Sequence, residues 1–486
     1  MPAYLIRSVG AAALTLGLVG LTVAAAPGSD APAPQPEPDR TTLSPDALRD
    51  AAAEALRLGH AQRAYAFSNA LVARDESDRT ALLIRARAAR DLGQYKEAKT
   101  SARLAWKHSE TDEQKYASSM VMAQALSSAG QRSWAQLWLR RAVQHAPNEA
   151  LESRAIRDFR YVRKRNPWQT HLSFSVTPNS NINNGTKEIG ESFRNVGASR
   201  PLSGLEYSFG LKTRYRFRET ETRLHELTFS GKYYHYSLSS SAKRQQELDA
   251  QQSGNPQSFR TYEGKDFAFG YYEFGYAQRG KNFDHRGEYA LSAQLGHSWY
   301  DAQPYTQYLQ LNGGQRYKLK NGHNLGTNLT LRRNIGIRTA DTDEIRVGLS
   351  YGFATGSGSY FQASLGVRET ISTHATRNPN DEFREFHVAA QYWFGKPILG
   401  ASANLGLTLK QRNYDEYRTF TAIPNVVLIG DREDKGIAMD FTLTFKEVDY
   451  YGFNPTMTIS AASTDSSESR YNIDRFGINF GIQSAF

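Results

Sequence analysis

A chain of 486 residues without cysteine is long enough for two folded parts, and it has no disulfide framework, no thiolate metal site and no acceptor for an N-terminal lipid. Its mean hydropathy is -0.59. Beyond the N-terminal stretch no run of about 18 apolar residues occurs, which excludes a helical membrane span but not a transmembrane barrel, where alternation dilutes the apolar residues. The formal net charge of +10 admits an acidic polymer as partner; nucleic acid is set aside because the chain opens like a secreted one.

Residues 1–26 carry Arg7, an apolar stretch and the small run Ala24-Ala25-Ala26, the pattern of a signal peptide cleaved near Ala25 or Ala26. Residues 27–46 are rich in Pro, Ala and acidic side chains and read as an extended linker. From residue 47 to 165 the pattern is helical. Gly59, Gly93 and Gly130 each separate two amphipathic segments, and the first two are 34 residues apart, the tetratricopeptide period. Ala64, Ala98 and Ala135 follow the glycines by five positions, and Leu71, Ala105 and Ala142 by twelve, where close helix packing needs small or apolar side chains. The third unit comes three residues late, so an insertion is expected in the loop at 109–112. A closing helix is expected over 148–163. The alternative is an Ala-rich helical bundle; either way the expected site is a periplasmic domain that binds proteins or peptides.

Asn166-Pro167 ends the helices, and from Trp168 the period is two. Fourteen strands are counted between 168 and 486. The last, 474–486, puts Phe476, Ile478, Phe480, Ile482 and Phe486 on one face, and Arg475, Gly477, Asn479, Gly481 and Gln483 on the other. Such an aromatic-ended strand closes outer-membrane barrels, with lipid on its apolar face and a polar lumen on the other. Tight connections alternate with longer ones such as 178–202, 238–265, 373–383 and 413–433, as short inner turns and long outer loops do in these barrels. An even strand count leaves both barrel ends on the helical domain's side. Tyr (27) and Phe (24) are plentiful enough for two aromatic girdles.

A signal peptide, a tetratricopeptide-like domain and a fourteen-strand C-terminal barrel together resemble the surface lipoprotein assembly modifier family. The local match lies at the exit of the first strand, where Pro178-Asn179-Ser180-Asn181-Ile182-Asn183 is similar to that family's P-x-S-N-I-N segment. The resemblance implies a non-enzymatic outer-membrane translocator of a Gram-negative bacterium. It would deliver surface lipoproteins, or soluble haem- or iron-scavenging proteins, from periplasm to cell surface. The expected partners are protein cargo, outer-membrane lipid, the barrel-assembly machinery and a periplasmic chaperone, with the chain itself a monomer and no cofactor. The alternative is a tetratricopeptide-barrel exporter of an anionic exopolysaccharide.

Several residues attract a functional reading. Pro178, Ser180, Asn181, Ile182 and Asn183 either line or plug the pore or are ordinary turn residues. Lys212, Arg214, Arg216, Arg368, Lys410, Arg412 and Arg475 fall on the lumen face, either as an anion-favouring surface or paired with acids such as Glu206, Asp440 and Glu369. Phe480, Ile482 and Phe486 are the barrel-closing signal. Gly348-Leu349-Ser350-Tyr351-Gly352 matches G-x-S-x-G, but a nucleophile elbow needs a strand-to-helix turn and this lies within an alternating strand, so no catalytic residue is assigned. His225, His235 and His297 show no ligand spacing, and no metal site is expected. Trp106, Trp134 and Trp138 either are exposed anchors for a partner or, the favoured reading, pack between repeats, and Arg85, Lys96, Arg103, Arg140 and Arg141 are expected to form a solvated basic face.

Overall fold

The computed structural model describes residues 42–188, 200–252, 260–282, 284–356, 358–373, 378–420, 427–448 and 450–484. The expected signal peptide, most of the linker and Phe486 lie outside them. Among the described residues seven helices come first: α1 (Pro45–Arg57), α2 (Ala61–Arg74), α3 (Arg79–Asp91), α4 (Tyr95–Lys107), α5 (Asp112–Ser128), α6 (Arg132–Gln144) and α7 (Glu149–Arg165).

The three glycines end the first helix of each pair. Gly59, Gly93 and Gly130 have φ of 79°, 76° and 77°, the left-handed conformation that a Cβ disfavours. At each, two backbone bonds close the helix end in a Schellman motif: Gly93 N donates to Arg90 O and Gln94 N to Ala89 O, and the other two repeat the pattern. The sharp reversal lays each second helix against its partner. Ala64, Ala98, Ala105, Ala135 and Ala142 are fully buried there, which lets the helix axes approach closely. The late third unit has a different cause from the one expected. The loop before α5 is no longer than the others; α5 itself has 17 residues where α3 has 13.

The strands follow: β1 (Trp168–Asn179), β2 (Gly204–Glu219), β3 (Arg223–Leu238), β4 (Phe269–Lys281), β5 (Gly287–Tyr300), β6 (Gln303–Lys318), β7 (Asn324–Gly336), β8 (Thr342–Ala354), β9 (Tyr360–Ser372), β10 (Phe383–Trp393), β11 (Ser402–Phe420), β12 (Val427–Thr444), β13 (Phe453–Ser466) and β14 (Ile473–Ser484). Each pairs antiparallel with its sequence neighbours, and β1 meets β14 to close the barrel. An eighth helix, α8 (Ser240–Gln252), lies in the β3–β4 connection at the loop end. The region 413–433, expected to be a loop, is mostly strand. β11 and β12 continue as a paired hairpin past a bulge at Tyr414–Tyr417, out to Phe420 and from Val427.

Alternation sorts the side chains. Leu172, Phe209, Phe274, Leu295, Leu331, Val347, Leu365, Val388, Leu409, Met439 and Phe480 all lie exposed on the outer face, an arrangement that water would penalise and lipid favours. Among the described residues no helix is long and apolar enough to cross a membrane. At the helical-domain end the turns are tight. Leu399-Gly400 and Tyr451-Gly452 have positive φ at both central positions, the twist that matches a two-residue hairpin.

A Cβ at Gly93 would meet no atom within 4 Å, so Gly93→Ala carries only the conformational cost of a left-handed residue, roughly 1–2 kcal/mol. Denaturant titration of the helical circular-dichroism signal should show that loss, whereas Gly356→Ala, in equally open surroundings and without a positive φ, should leave the midpoint unchanged.

Candidate functional site

The lumen face has no aliphatic stripe; most of its residues are charged, amide, hydroxyl or glycine, with alanines such as Ala277 and Ala290 among them and the Tyr360–Trp393 pair at the turn end. One side is a connected band of ion pairs. Arg368 Nε donates to Glu344 Oε2 at 2.8 Å, and Arg346 also pairs with Glu344. Arg412 donates to Glu385 at 2.6 and 3.0 Å. The Arg368 and Arg412 guanidinium groups stand 4.8 and 4.3 Å from the centre of the Phe383 ring. Further along, Arg432 pairs with Asp434 at 2.6 Å, both buried, and lies 3.2 Å from the Tyr471 ring centre. Tyr417 donates its hydroxyl to Tyr471 at 2.7 Å, so this group ties the tall β11–β12 hairpin to the β13–β14 connection.

The opposite side of the lumen differs. Lys212 and Arg214 on β2 form no ion pair among the described residues, and neither does Lys410, which stands beside the band on β11, two positions from Arg412. Lys212 and Arg214 line a cavity of about 370 Å³ with Arg279, Glu273, Gln294 and Asn312. Arg279 reaches Glu226 at 3.5 Å, and the Lys410 stem lies across Gly436. Arg216 stands at the mouth nearest the helices. It pairs with Glu219 at 2.8 Å and donates to Lys164 O at 2.7 Å and Asn166 O at 3.2 Å. Glu369, expected as an acid facing the lumen, points outward instead and pairs with Arg384 at 2.7 Å. Its odd position in β9 puts it opposite Arg368.

At the seam, β1 and β14 share only Ser175–Gly481, Val176–Phe480 and Asn179–Gly477 as paired positions, while β1 pairs with β2 along its whole length. Pro178 has no N–H to give either neighbour. Side chains supply what the ladder lacks. Asn479 donates to Thr177 Oγ1 at 2.6 Å. Phe476 N donates to Ser180 Oγ at 2.8 Å, and Ser180 N to Phe476 O at 3.1 Å. Asn181, 1% exposed, donates to Gly185 O at 2.8 Å and Asp474 O at 3.1 Å and accepts from Gly185 N at 2.7 Å. Thr186 donates to Ser469 O at 2.6 Å. Arg475 bonds Asn184. Lys187 sits 3.0 Å from Asp465 and 3.5 Å from Asp474, and the hydrogen bond to Asp465, with the charge of Asp474 added, holds its ammonium above the ordinary lysine range. Ile182 packs with Leu202, Leu238 and Ala242 in a small apolar core of the outer connections, and Asn183 bonds both Arg200 O and Leu202 N, bracing the loop. The 178–183 segment is thus a clasp between the first and last strands. Phe480 and Ile482 lie exposed on the outer face of β14.

The helical domain grips the same sector from the other end. Arg140 Nη1 donates to Tyr451 O at 3.0 Å and Gly452 O at 2.7 Å, with its guanidinium 4.3 Å from the Phe453 ring centre. Tyr451 N donates to Gln144 Oε1 at 2.8 Å. The tight β12–β13 turn points these carbonyls away from the sheet, where Arg140 can accept the task. On the other flank Asn166, buried, donates to Ser133 Oγ at 3.0 Å. Arg140 is therefore a docking residue and not part of a solvated face. Sequence reasoning passed over this clamp, although the Tyr451-Gly452 turn signal was readable. Trp106 and Trp138 pack edge to face at 5.2 Å beneath Arg141, whereas Trp134 is 62% exposed. Gly348 to Gly352 lies wholly within β8.

A closed fourteen-strand barrel with an apolar outer face is an outer-membrane architecture. Among solved structures, similar chains are found for each part. The type III secretion translocator chaperone SycD of Yersinia enterocolitica is 20% identical over 26% of this chain and 88% of its own, with a TM-score of 0.23. OccAB3 of Acinetobacter baumannii is 9% identical over 65% and 98%, TM-score 0.36. A BenF-like porin of Pseudomonas fluorescens Pf-5 is 11% identical over 65% and 98%, TM-score 0.33. No curated protein sequence matches the chain. The surface lipoprotein assembly modifier family does match, over residues 168–481. With more than half of its length and all but the last residues of its barrel so matched, the chain belongs to the surface lipoprotein assembly modifier family.

Proposed function

We propose that this protein is a non-enzymatic translocator that takes exported proteins from the periplasm and delivers them to the cell surface. The helical domain lies in the periplasm and receives the cargo, and the barrel gives it passage. Lipoproteins are the first class of cargo, with soluble haem- or iron-scavenging proteins the second. The observation that carries this reading is the docking of the helical domain by Arg140 and Gln144 onto the barrel turn at Tyr451-Gly452. A receptor fixed at the mouth raises the local concentration of whatever it holds. The exposed Trp134 and Leu137 on α6 supply the kind of aromatic and aliphatic anchors on which protein contacts depend. The unpaired cations Lys212, Arg214 and Lys410 favour a second reading, export of an anionic polysaccharide.

Protease accessibility on intact cells separates the two. A co-expressed lipoprotein should become accessible only with the full chain, and a variant lacking residues 27–165 should lose the effect. If no lipoprotein or soluble protein is ever exposed while an acidic sugar polymer collects outside, the polysaccharide reading replaces the first.

The clamp has its own consequence. Arg140→Ala removes two charge-assisted bonds, worth about 2 kcal/mol together or roughly thirtyfold in docking. Trypsin should then cut the Arg163–Arg165 stretch faster and surface display should fall, while the barrel's heat-resistant migration on gels stays as in the unaltered chain.

A further inference from the structure

We propose that the seam between β1 and β14 is a gate that opens from the helical-domain end, hinged on the 177–187 clasp, and that it forms the slot along which a cargo's acyl anchor stays in lipid. The proposal rests on the translocator reading for its cargo but not for its mechanics.

The seam is unlike every other junction in the barrel. Its paired positions stop at Ser175–Gly481, and the described strand residues beyond them, Leu172 to Phe174 of β1 and Ile482 to Ser484 of β14, form no further pairs with one another, although the same stretch of β1 pairs fully with β2. Backbone groups left unpaired at membrane depth are costly, and an edge in that state is the place where a closed barrel yields first. The bonds that do cross the seam are concentrated at its loop end, in Thr177, Ser180, Asn181, Thr186 and Lys187. Asn181 and Thr186 are each 1% exposed, so that end is both bonded and packed. Strength at one end and weakness at the other make a hinge and a mouth.

The mouth faces the helical domain. The two attachments of that domain flank the seam: Arg216 of β2 holds the end of α7, and Arg140 and Gln144 hold the β12–β13 turn. Ser133, bonded to Asn166, and Gln144 are about 16 Å apart along α6 at roughly 1.5 Å per residue. Strands about 4.8 Å apart make the step from β1 across β14 to β13 about 10 Å, which that length of α6 spans. Helix α6 therefore runs beneath the weak half of the seam, where it can present a chain to the opening.

Chemistry fixes what the slot is for. The lumen is mainly polar, and an acyl chain cannot follow a polypeptide through it without losing its hydrocarbon surroundings. A slit between β1 and β14 lets the polypeptide enter the lumen while the acyl chains remain outside. On the outer face the slit is bordered by Leu172, Phe174, Phe480 and Ile482, all exposed and apolar.

Two measurements test the gate. The chain has no cysteine, so an engineered pair is its sole disulfide. Phe174→Cys with Ile482→Cys joins the next outer-facing positions toward the mouth from the paired Val176–Phe480, and Leu365→Cys with Val388→Cys joins paired positions across β9 and β10. Oxidised seam-locked cells should display no lipoprotein and recover on reduction, whereas the second pair should display it in both states. Display that survives the seam lock overturns the proposal. The mechanics are read separately by hydrogen exchange of the full chain in lipid discs. Amides of β14 should exchange roughly tenfold or more faster than those of β12, and Asn181→Ala should widen the difference. Protection of β14 equal to that of β12 also overturns the proposal. A wild-type chain that displays no lipoprotein would sink the translocator reading, and the exchange result would still decide whether the seam opens.

Discussion

In lipid no water is available to satisfy a backbone N–H or C=O, so a sheet that crosses a membrane must close on itself. That constraint governs this chain from Trp168 onward. Thirteen of the junctions form between sequence neighbours, where a short turn or a loop brings the edges together. The last joins strands nearly 300 residues apart, β1 and β14. It is also the junction with the fewest paired positions and the one crossed by the most specialised side chains. The need to close, and the difficulty of closing with the two ends of the sheet, explain why Asn, Ser and Thr collect at 177–186.

The interior follows from the same constraint by subtraction. Alternation sends the apolar half of each strand to lipid and leaves polar side chains in the lumen, where charge must be neutralised locally. Glu344 serves both Arg346 and Arg368, Glu385 serves Arg412, and Asp434 serves Arg432. Phe383, between Arg368 and Arg412, adds cation–π contact to the same band. The band stiffens one wall of the barrel. Lys212 and Arg214 lie across the lumen on β2 and form no ion pair among the described residues, so the side opposite the band keeps a basic character.

What could be read in the sequence divides along physical lines. Period-two alternation is local, so the strand number and the lumen face of Arg368, Arg412 and Arg475 were legible. The tetratricopeptide spacing is also local, and Ala64, Ala98 and Ala135 fall where the Gly turns require them. Length is harder to read than period. The extra residues of the third repeat lengthen α5 because Asp112 to Ser128 has no helix breaker, and β11 and β12 run on past 413 because a bulge at Tyr414–Tyr417 absorbs the irregularity that read as loop. Long-range pairing was not legible at all. Nothing near Arg140 announces that its partners are the carbonyls of Tyr451 and Gly452, and nothing near Asn181 announces Asp474. Glu369 went to the wrong face because its neighbour Arg368 was given the lumen and adjacent residues in a strand cannot share a side.

The two attachments of the helical domain and the clasp at the loop end all act on the strands that flank one junction. If the domain served only to bind cargo near the mouth, any sector of the rim would do, since tethering at any turn gives a similar local concentration. It is held instead by β2 on one flank and by the β12–β13 turn on the other, with α6 lying across the interval. A brace in that position resists the parting of β1 from β14 at the end where their own ladder does least. Cargo that binds α6 and loosens Arg140 or Gln144 would weaken that brace, so occupancy of the domain and opening of the seam become a single equilibrium. Coupling of this kind would keep an unloaded barrel shut, which a membrane barrier requires, because the free energy of opening would come from the binding that loosens the brace.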